Sequence, residues 1–392
     1  MESRFRYEAV ISGGQVDPRA EPWSGMVLVA PNHIESGTGR LVGRETAADQ
    51  GADSGKYVAT AGQILYSKIR PALNKVAIAV EDCLCSADMY AISLSDRLDT
   101  RFARYFMSAK PFHDFATAMS MRVKMPKVNR EELADGPWLL PKLSEQRAIA
   151  DYLDRETARI DTLIKEQQRL IEMLRERRDG VVTKTFLNSA SEERSLKFAV
   201  DDVTVGIVVQ PSRWYVDAGV PALRGVNVKR GSISFSDLIH ISEEGHAAHP
   251  KSQLRSGDIV IVRTGRAGAA AKVPDALDGA NAIDILIVRP GEGTNPDFLV
   301  WYLNSPLAAS RIEHGSVGAL QGHFNVSALR ELPLPDASLV EQQRIVAYLD
   351  EQIAKIDTMI TETERFIELA RERRSALITA AVTGQIDVRE TA

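Results

Sequence analysis

Two stretches of the chain repeat one another: EQRAIADYLDRETARIDTLIKEQQRLIEMLRERRDGVVT (Glu145–Thr183) and EQQRIVAYLDEQIAKIDTMITETERFIELARERRSALIT (Glu341–Thr379). They align without a gap at an offset of 196 residues, half of the 392-residue chain, and about half of their positions are identical. A repeat determines the architecture, because each copy forms the same kind of structural unit. The sequence therefore predicts a globular block, a long helix, a second globular block and a second long helix.

Apolar residues recur at steps of three and four in each repeat, which is the heptad pattern of a coiled-coil helix. No proline or glycine interrupts residues 145–179, and about 40 residues predict a helix roughly 60 Å long. Because the two apolar stripes match, we expect the helices to pack together as an antiparallel coiled coil. The alternative is two independent helices, each covering its own block. The predicted seam comprises Ile149, Leu153, Ile160, Leu163, Leu170, Leu174 and Val181, and then Ile345, Leu349, Ile356, Met359, Phe366, Ala370 and Leu377.

The two segments that precede the helices also resemble each other, although more weakly. Gly62 stands opposite Gly257, and Asn32 is placed opposite Asn227. FARYFMSA (102–109) and FLVWYLNSP (298–306) read as matching short amphipathic helices. Short β runs between Gly, Asn and Pro turns, with one or two helices, are typical of an α+β domain. The predicted fold class is α+β, with two tandem α/β domains separated and joined by the paired helices in a pseudo-twofold internal repeat.

Composition is that of a soluble globular protein, with 44% hydrophobic and 26% charged residues. The absence of a basic-then-apolar leader and of a long apolar run predicts a cytoplasmic protein. Cys83 and Cys85, in CLC, suit alternating positions of a strand and are read as reduced thiols. The net charge of -5 argues weakly against nucleic acid as a partner, but a neutral domain can still present a basic face.

No catalytic motif emerges from the sequence. The GxxxGK string at Gly51–Lys56 lacks the spacing and the following Ser or Thr of a phosphate-binding loop. His240, His246 and His249 could form a metal cluster, but a solvated loop is the stronger interpretation. We therefore predict no catalytic residue and no metal site in this chain.

Basic loops recur at matching places in the two blocks. Arg, Lys, Gln, Asn and His are the side chains that reach phosphates and base edges in DNA. A solvated charged face is the ordinary alternative, but recurrence in both halves favours DNA binding. The candidate DNA-binding residues are Lys68, Arg70, Lys75, Arg122, Lys124 and Lys127 in the first block, and Arg224, Lys229, Arg230, Arg263, Arg266, Gln321, His323 and Asn325 in the second.

Along nearly its whole length the chain resembles the specificity subunits of type I restriction-modification systems. The resemblance is carried by the LP…EQ entry to each helix, the YLD…ID..I core and the RERR end, each present twice, and by GDIVIVRTG (257–265). It implies target recognition domains at 1–141 and 191–335, with the long helices at 142–190 and 336–392.

The resemblance implies that each recognition domain reads one half of a split, asymmetric site in double-stranded DNA. It also implies that the helices set the length of the gap between the two half-sites. It implies docking of two adenine methyltransferase subunits, which carry S-adenosylmethionine. Where the system also restricts DNA, it implies further subunits that use ATP and Mg²⁺. The chain itself holds no cofactor in this interpretation.

Three other interpretations stay open at the level of the sequence. The chain could serve a methylation-only or type II-like system on the same scaffold. A coiled-coil protein that assembles without touching DNA would leave function intact when its basic loops are changed. A single-chain nuclease or methyltransferase would bind S-adenosylmethionine or metal by itself.

Overall fold

A computed structural model describes residues 2–121, 126–189, 192–263, 268–315 and 325–388. Its two longest helices are Leu143–Leu187 and Leu339–Val382. These helices contain the two repeated stretches, so the predicted helical character of the repeat is confirmed. Among the helices of the described ranges, none combines the length and the apolar character needed to cross a membrane.

Contacts divide the chain into two compact units, and each unit combines a globular block with parts of both long helices. The first unit consists of residues 1–168 and 364–392, and the second consists of residues 169–363. Each long helix therefore contributes one part of its length to each unit.

In the first unit the two helix segments run antiparallel. Ile149 and Leu153 belong to one buried cluster with Ile378 and Val382. Further along, the Arg374 guanidinium pairs with Asp161 at 2.8 Å. Later residues of one helix thus contact earlier residues of the other, as an antiparallel coiled coil requires.

The second unit repeats this arrangement. Arg178 lies 3.6 Å from Asp357, and a groove at the start of the second long helix is lined by Lys184 and Asn188 together with Arg344 and Tyr348. Because higher residue numbers on one helix again face lower numbers on the other, the antiparallel prediction is confirmed within each unit.

The predicted seam is wrong at three positions. Leu163, Met359 and Phe366 are exposed by 37%, 45% and 43%, and the inward-facing residues are Ile164, Ile360 and Ile367 instead. Successive residues of a helix point about 100° apart. Where two adjacent residues are both apolar, as Leu163 and Ile164 are, the sequence is therefore compatible with either of two seams. The predicted seam would bury Glu156 and Gln352, whereas the observed seam buries Thr157 and Ile353. Since Thr157 donates a hydrogen bond to the Leu153 carbonyl, the observed choice buries less unsatisfied polar surface.

In the first block a four-stranded antiparallel sheet packs under two consecutive helices, Thr100–Ser108 and Lys110–Ser120. Its strands lie in the order Ala9–Ile11, Met89–Leu94, Ile64–Ser67 and Val76–Ile78. A second sheet has the order Gln15–Val16, Lys56–Ala59, Cys83–Cys85 and Leu28–Val29, and the pair Glu2–Arg4 and Pro137–Leu139 joins the start of the block to its end. Phe5–Glu8 and Arg130–Ala134 are short helices.

The second block repeats the first sheet with the same strand order: Val200–Val205, Ile285–Pro290, Ile259–Val262 and Ala270–Lys272. Its other sheet has the order Tyr215–Val216, Ile239–Ile241, Val220–Leu223 and Asn281–Ala282. Two strand pairs complete it, Glu193–Ser195 with Pro333–Pro335 and Val228–Lys229 with Ser232–Ile233, along with the helices Glu243–Ala248, Pro296–Leu303, Pro306–Gly315 and Val326–Arg330. The blocks thus share a central α+β plan, as predicted.

The second sheets diverge in where their outer strands attach. Both contain one parallel pair, Leu28–Val29 with Cys83–Cys85 and Val220–Leu223 with Asn281–Ala282. In the first block the extra strands pair with the later member of that pair, and in the second block they pair with the earlier member. The repeated framework therefore carries different outer surfaces.

Of two correspondences between the blocks that the sequence predicts, the one between Gly62 and Gly257 is confirmed and the one between Asn32 and Asn227 is wrong. Gly62 and Gly257 both adopt positive φ, 88° and 84°, at matching turns that lead into the third strand. Asn227, however, corresponds to His33 and not to Asn32. The side chain of each accepts a hydrogen bond from the backbone three residues earlier, at 3.0 Å and 3.1 Å.

Both cysteines occupy a buried strand as free thiols. Burial raises the pKa of Cys83 to about 11 and the pKa of Cys85 to about 12. At neutral pH both side chains therefore stay protonated, and they pack as small apolar groups.

A buried glutamine joins each long helix to its block. Gln146 accepts a hydrogen bond from the Asp99 amide at 2.9 Å, and Gln342 accepts one from the Asn295 amide at 2.8 Å. The amide group of each glutamine also donates to two backbone carbonyls. Asp99 and Asn295 cap the matching short helices, so the glutamine of the repeated EQ pair fixes the helix entry in each unit.

Replacing Gln146 with alanine is expected to lower the free energy of unfolding by about 1–3 kcal/mol, because one backbone amide and two carbonyls lose their hydrogen-bond partner in partly buried contacts. Urea denaturation of the purified chain measures the change. Gln168→Ala, at an exposed position of the same helix, is the control and should change stability little. Equal loss in both variants would contradict this role of Gln146.

Candidate nucleic-acid interface

Two basic runs of the first block, which lie far apart in sequence, are joined by backbone hydrogen bonds. The Arg70 amide donates to the Pro126 carbonyl at 2.8 Å, and the Val128 amide donates to the Lys68 carbonyl at 2.9 Å. This short ladder places Lys68 and Arg70 beside Lys127. We call Lys68, Arg70, Lys127 and Arg130 the first basic surface.

Arg70 is exposed and has φ of 47°, in the left-handed region. A non-glycine residue held there costs of order 1–3 kcal/mol, and such strain concentrates at functional sites. The first basic surface therefore contains a cation on strained main chain.

Two tyrosines lie under the cations of the first basic surface. The Lys68 ammonium is 5.5 Å from the centre of the Tyr90 ring, and the Arg130 guanidinium is 5.6 Å from it. Arg130 is also 5.9 Å from the Tyr57 ring and donates to the carbonyls of Ile11 and Ser12. Burial raises the pKa of Tyr90, which therefore stays neutral and donates to the Val128 carbonyl. The rings and carbonyls thus limit the positions that the cations can adopt.

Lys75 has a structural role in this arrangement. Its ammonium donates to the Pro31 carbonyl at 2.6 Å in a partly buried position. Of the predicted residues in the first block that are described, Lys68, Arg70 and Lys127 come together, whereas Lys75 binds the loop at Pro31.

The second block places an arginine at the same position of its repeated sheet. Lys68 follows the third strand Ile64–Ser67, and Arg263 follows the third strand Ile259–Val262. Arg263 pairs with Asp284 at 3.0 Å, and its side chain is 23% exposed. Arg263 thus stands at the equivalent edge but is held by an acidic partner.

The remaining predicted residues of the second block have other contacts. Arg224 donates to the Asp237 carbonyl, and exposed Lys229 donates to the Val226 carbonyl. Arg230 is exposed, and Asn325 caps the helix Val326–Arg330. Arg122, Lys124, Arg266, Gln321 and His323 lie outside the described residues.

Within the described ranges, no three His, Cys, Asp or Glu side chains gather in a way that could hold a metal ion. His246 is hydrogen-bonded to Asn281, and His249 to the Gly245 carbonyl, so both side chains serve the loop around them.

The sequence did not single out the two tyrosines that lie under the first basic surface. Tyr57 and Tyr90 stand on neighbouring sheets, and no spacing in the sequence relates them to Arg130. Tyr57 follows Lys56 in its strand, but Met89–Leu94 contains no basic residue, so no interleaving of aromatic and basic residues signals this pair of tyrosines.

Residues 30–173 match the family model described as type I restriction modification DNA specificity domain. The chain is 38% identical over 160 residues to the type I restriction enzyme EcoDI specificity subunit of Escherichia coli, an alignment that covers 41% of this chain and 36% of that protein. Identity to the EcoBI specificity subunit of Escherichia coli is 22%, over 72% of this chain and 65% of that protein. The aligned parts therefore span less than two thirds of these two relatives.

Two solved structures share the fold along almost the whole chain. A chain from the study "Structural basis underlying complex assembly and conformational transition of the type I R-M system" superposes with a TM-score of 0.79 at 18% identity, covering 97% of both chains. The HsdS subunit from Thermoanaerobacter tengcongensis superposes with a TM-score of 0.57 at 20% identity, covering 98% of this chain and 97% of that one.

Proposed function

We propose that this chain, which is similar to type I restriction-modification specificity subunits, reads a bipartite, asymmetric site in double-stranded DNA, one half with each globular block. The observation that carries this proposal is the recurrence of a basic residue, Lys68 or Arg263, directly after the third strand of the same sheet in each unit. Different outer strands around that shared position would give each block its own base preference.

The paired helices would set the gap between the two half-sites. Two linked readers gain affinity from effective concentration only when their separation matches the spacing of the half-sites. The repeated helices also offer matching docking positions, which suits two copies of one partner. We therefore propose two adenine methyltransferase subunits as partners, with S-adenosylmethionine bound in them. In a restricting system, further subunits would supply ATP- and Mg²⁺-dependent activity.

The test is long-read sequencing of modified adenine in cells that express this chain with its methyltransferase partner, compared with cells that lack the chain. A two-part asymmetric motif that depends on the chain would support the proposal. If the active partner produced no chain-dependent methylation, a coiled-coil assembly role without DNA binding would replace it. Methylation without any restriction subunit would indicate the methylation-only alternative.

Arg263→Ala is expected to abolish methylation that depends on the second half-site, because it removes a cation at the repeated position. The Arg263–Asp284 pair provides an informative control. Asp284→Asn breaks the same ion pair but keeps the cation, so it should retain methylation. Equal loss in both variants would mean that Arg263 acts through its structural pairing and not through DNA.

A further inference from the structure

Arg374 is a buried cation on a helix that is otherwise rich in exposed charge. Its side chain is only 8% exposed, while that of Asp161, its partner on the other long helix, is 39% exposed. Two nitrogens of the guanidinium donate to the two carboxylate oxygens of Asp161 at 2.8 Å and 3.2 Å. The pair therefore has the bidentate geometry that fixes an arginine in one orientation.

A third donor of the same guanidinium reaches into the globular block. Nη1 donates to the Gly37 carbonyl at 2.8 Å. The next carbonyl, that of Thr38, accepts from Arg104 at 3.0 Å. Successive carbonyls of the loop Glu35–Arg40 are thus held by two arginines, one from the second long helix and one from the short helix Thr100–Ser108.

The same loop is bonded to the loop that carries the first basic surface. The Gly37 amide donates to the Asn74 carbonyl at 2.9 Å, and Lys75 donates to the Pro31 carbonyl. Asn74 and Lys75 end the loop that begins with Lys68 and Arg70. A continuous path of hydrogen bonds therefore leads from Arg374 to the basic loop through Gly37 and Asn74.

The second unit has the same residues in a looser arrangement. Arg178 and Asp357 are the repeat equivalents of Arg374 and Asp161, but they lie 3.6 Å apart and are 44% and 51% exposed. Within the described part of the chain, no hydrogen bond joins Arg178 to the loop around Gly231, which aligns with Gly37. Val300 occupies the position that corresponds to Arg104.

We propose that Arg374 is a positioning residue that clamps the loop Glu35–Arg40 to the paired helices and thereby orients the first basic surface. The second unit has no equivalent clamp among its described residues. This proposal deepens the proposed function and rests on it for the DNA readout, whereas the clamp itself can be tested without DNA.

The test compares Arg374→Ala with its repeat-matched control, Arg178→Ala, in the purified full chain. Hydrogen exchange is followed in peptides that cover residues 35–41, 68–76 and 225–234. Arg374→Ala is expected to speed exchange in the first two peptides by about tenfold or more, because a charge-assisted hydrogen bond is lost. Arg178→Ala should leave all three unchanged. If exchange in Arg374→Ala equals that of the unmodified chain, the clamp is refuted.

The methylation motif provides the second readout. Arg374→Ala should relax base preference in the first half-site and leave the second half-site intact, which a general loss of stability would not do. Faster exchange without any change in the motif would overturn the orienting role. If no chain-dependent motif exists even in the unmodified protein, the proposed function fails while the exchange result still decides the clamp. Should Arg374→Ala fail to fold, Arg374→Lys keeps a cation beside Asp161 but loses the fork of donors, and the same exchange pattern is expected.

Discussion

Removing one heptad from each long helix, Ile164–Leu170 and Ile360–Phe366, is expected to abolish methylation at the original DNA site. The deletion removes whole heptads, so the pairs Asp161–Arg374 and Arg178–Asp357 keep their register within their own units. It shortens each helix by about 10 Å, which corresponds to roughly three base pairs of DNA. Over that distance the duplex also rotates by about 100°, so neither half-site stays in position for its block.

The readout is the modified-adenine motif in cells that contain the shortened chain and its methyltransferase partner. Exchanging the two heptads with each other keeps both lengths and is the control, which should methylate the original motif. Where methylation by the shortened chain survives, we expect a gap about three base pairs shorter between unchanged half-sites. Recovery of the same motif with the same gap would refute the idea that the helices set the spacing.

The triple variant Lys68→Ala, Arg70→Ala and Lys127→Ala is expected to weaken binding of the target duplex by roughly a hundredfold and to stop methylation. The three cations converge on one edge through the ladder between residues 68–70 and 126–128. If each contacts a phosphate, the slope of log affinity against log salt should fall by about 3. Fluorescence anisotropy across a salt series, with the methyltransferase partner bound, measures both quantities.

A control with the same loss of charge separates local contacts from net charge. Arg19, Arg44 and Arg155 are exposed and lie outside the first basic surface, and their replacement by alanine should leave the salt slope nearly unchanged. An equal decrease in both triple variants would show that the first basic surface has no special contact with DNA.

Local periodicity was enough to predict the long helices, the short helices Thr100–Ser108 and Pro296–Leu303, and the matching glycine turns at Gly62 and Gly257. It was not enough to choose between Leu163 and Ile164, because both are apolar and the choice depends on what the partner helix buries. The seam therefore had to come from packing between residues far apart in sequence.

The candidate site shows the same limit. The sequence shows each basic run by itself. It does not show that the two runs meet, because the hydrogen bond from Arg70 to Pro126 joins segments that are far apart in sequence. Arg178 and Arg374 each end a copy of the repeated RERR motif, yet the two arginines differ in burial and in the partners that they bind. Identical residues at repeated positions acquire different roles because their neighbouring loops differ.

The division of the chain into its two units has a consequence for synthesis on the ribosome. The second unit is one continuous segment, 169–363, whereas the first unit needs residues 364–392 to complete its core, including Ile378, Ala381 and Val382. At about 5–20 residues per second, those residues emerge roughly 10–40 seconds after residue 168. During that interval Ile149 and Leu153 lack the partners that later cover them, so the nascent first unit exposes part of its apolar core. The segment translated first is thus the one whose folding finishes last.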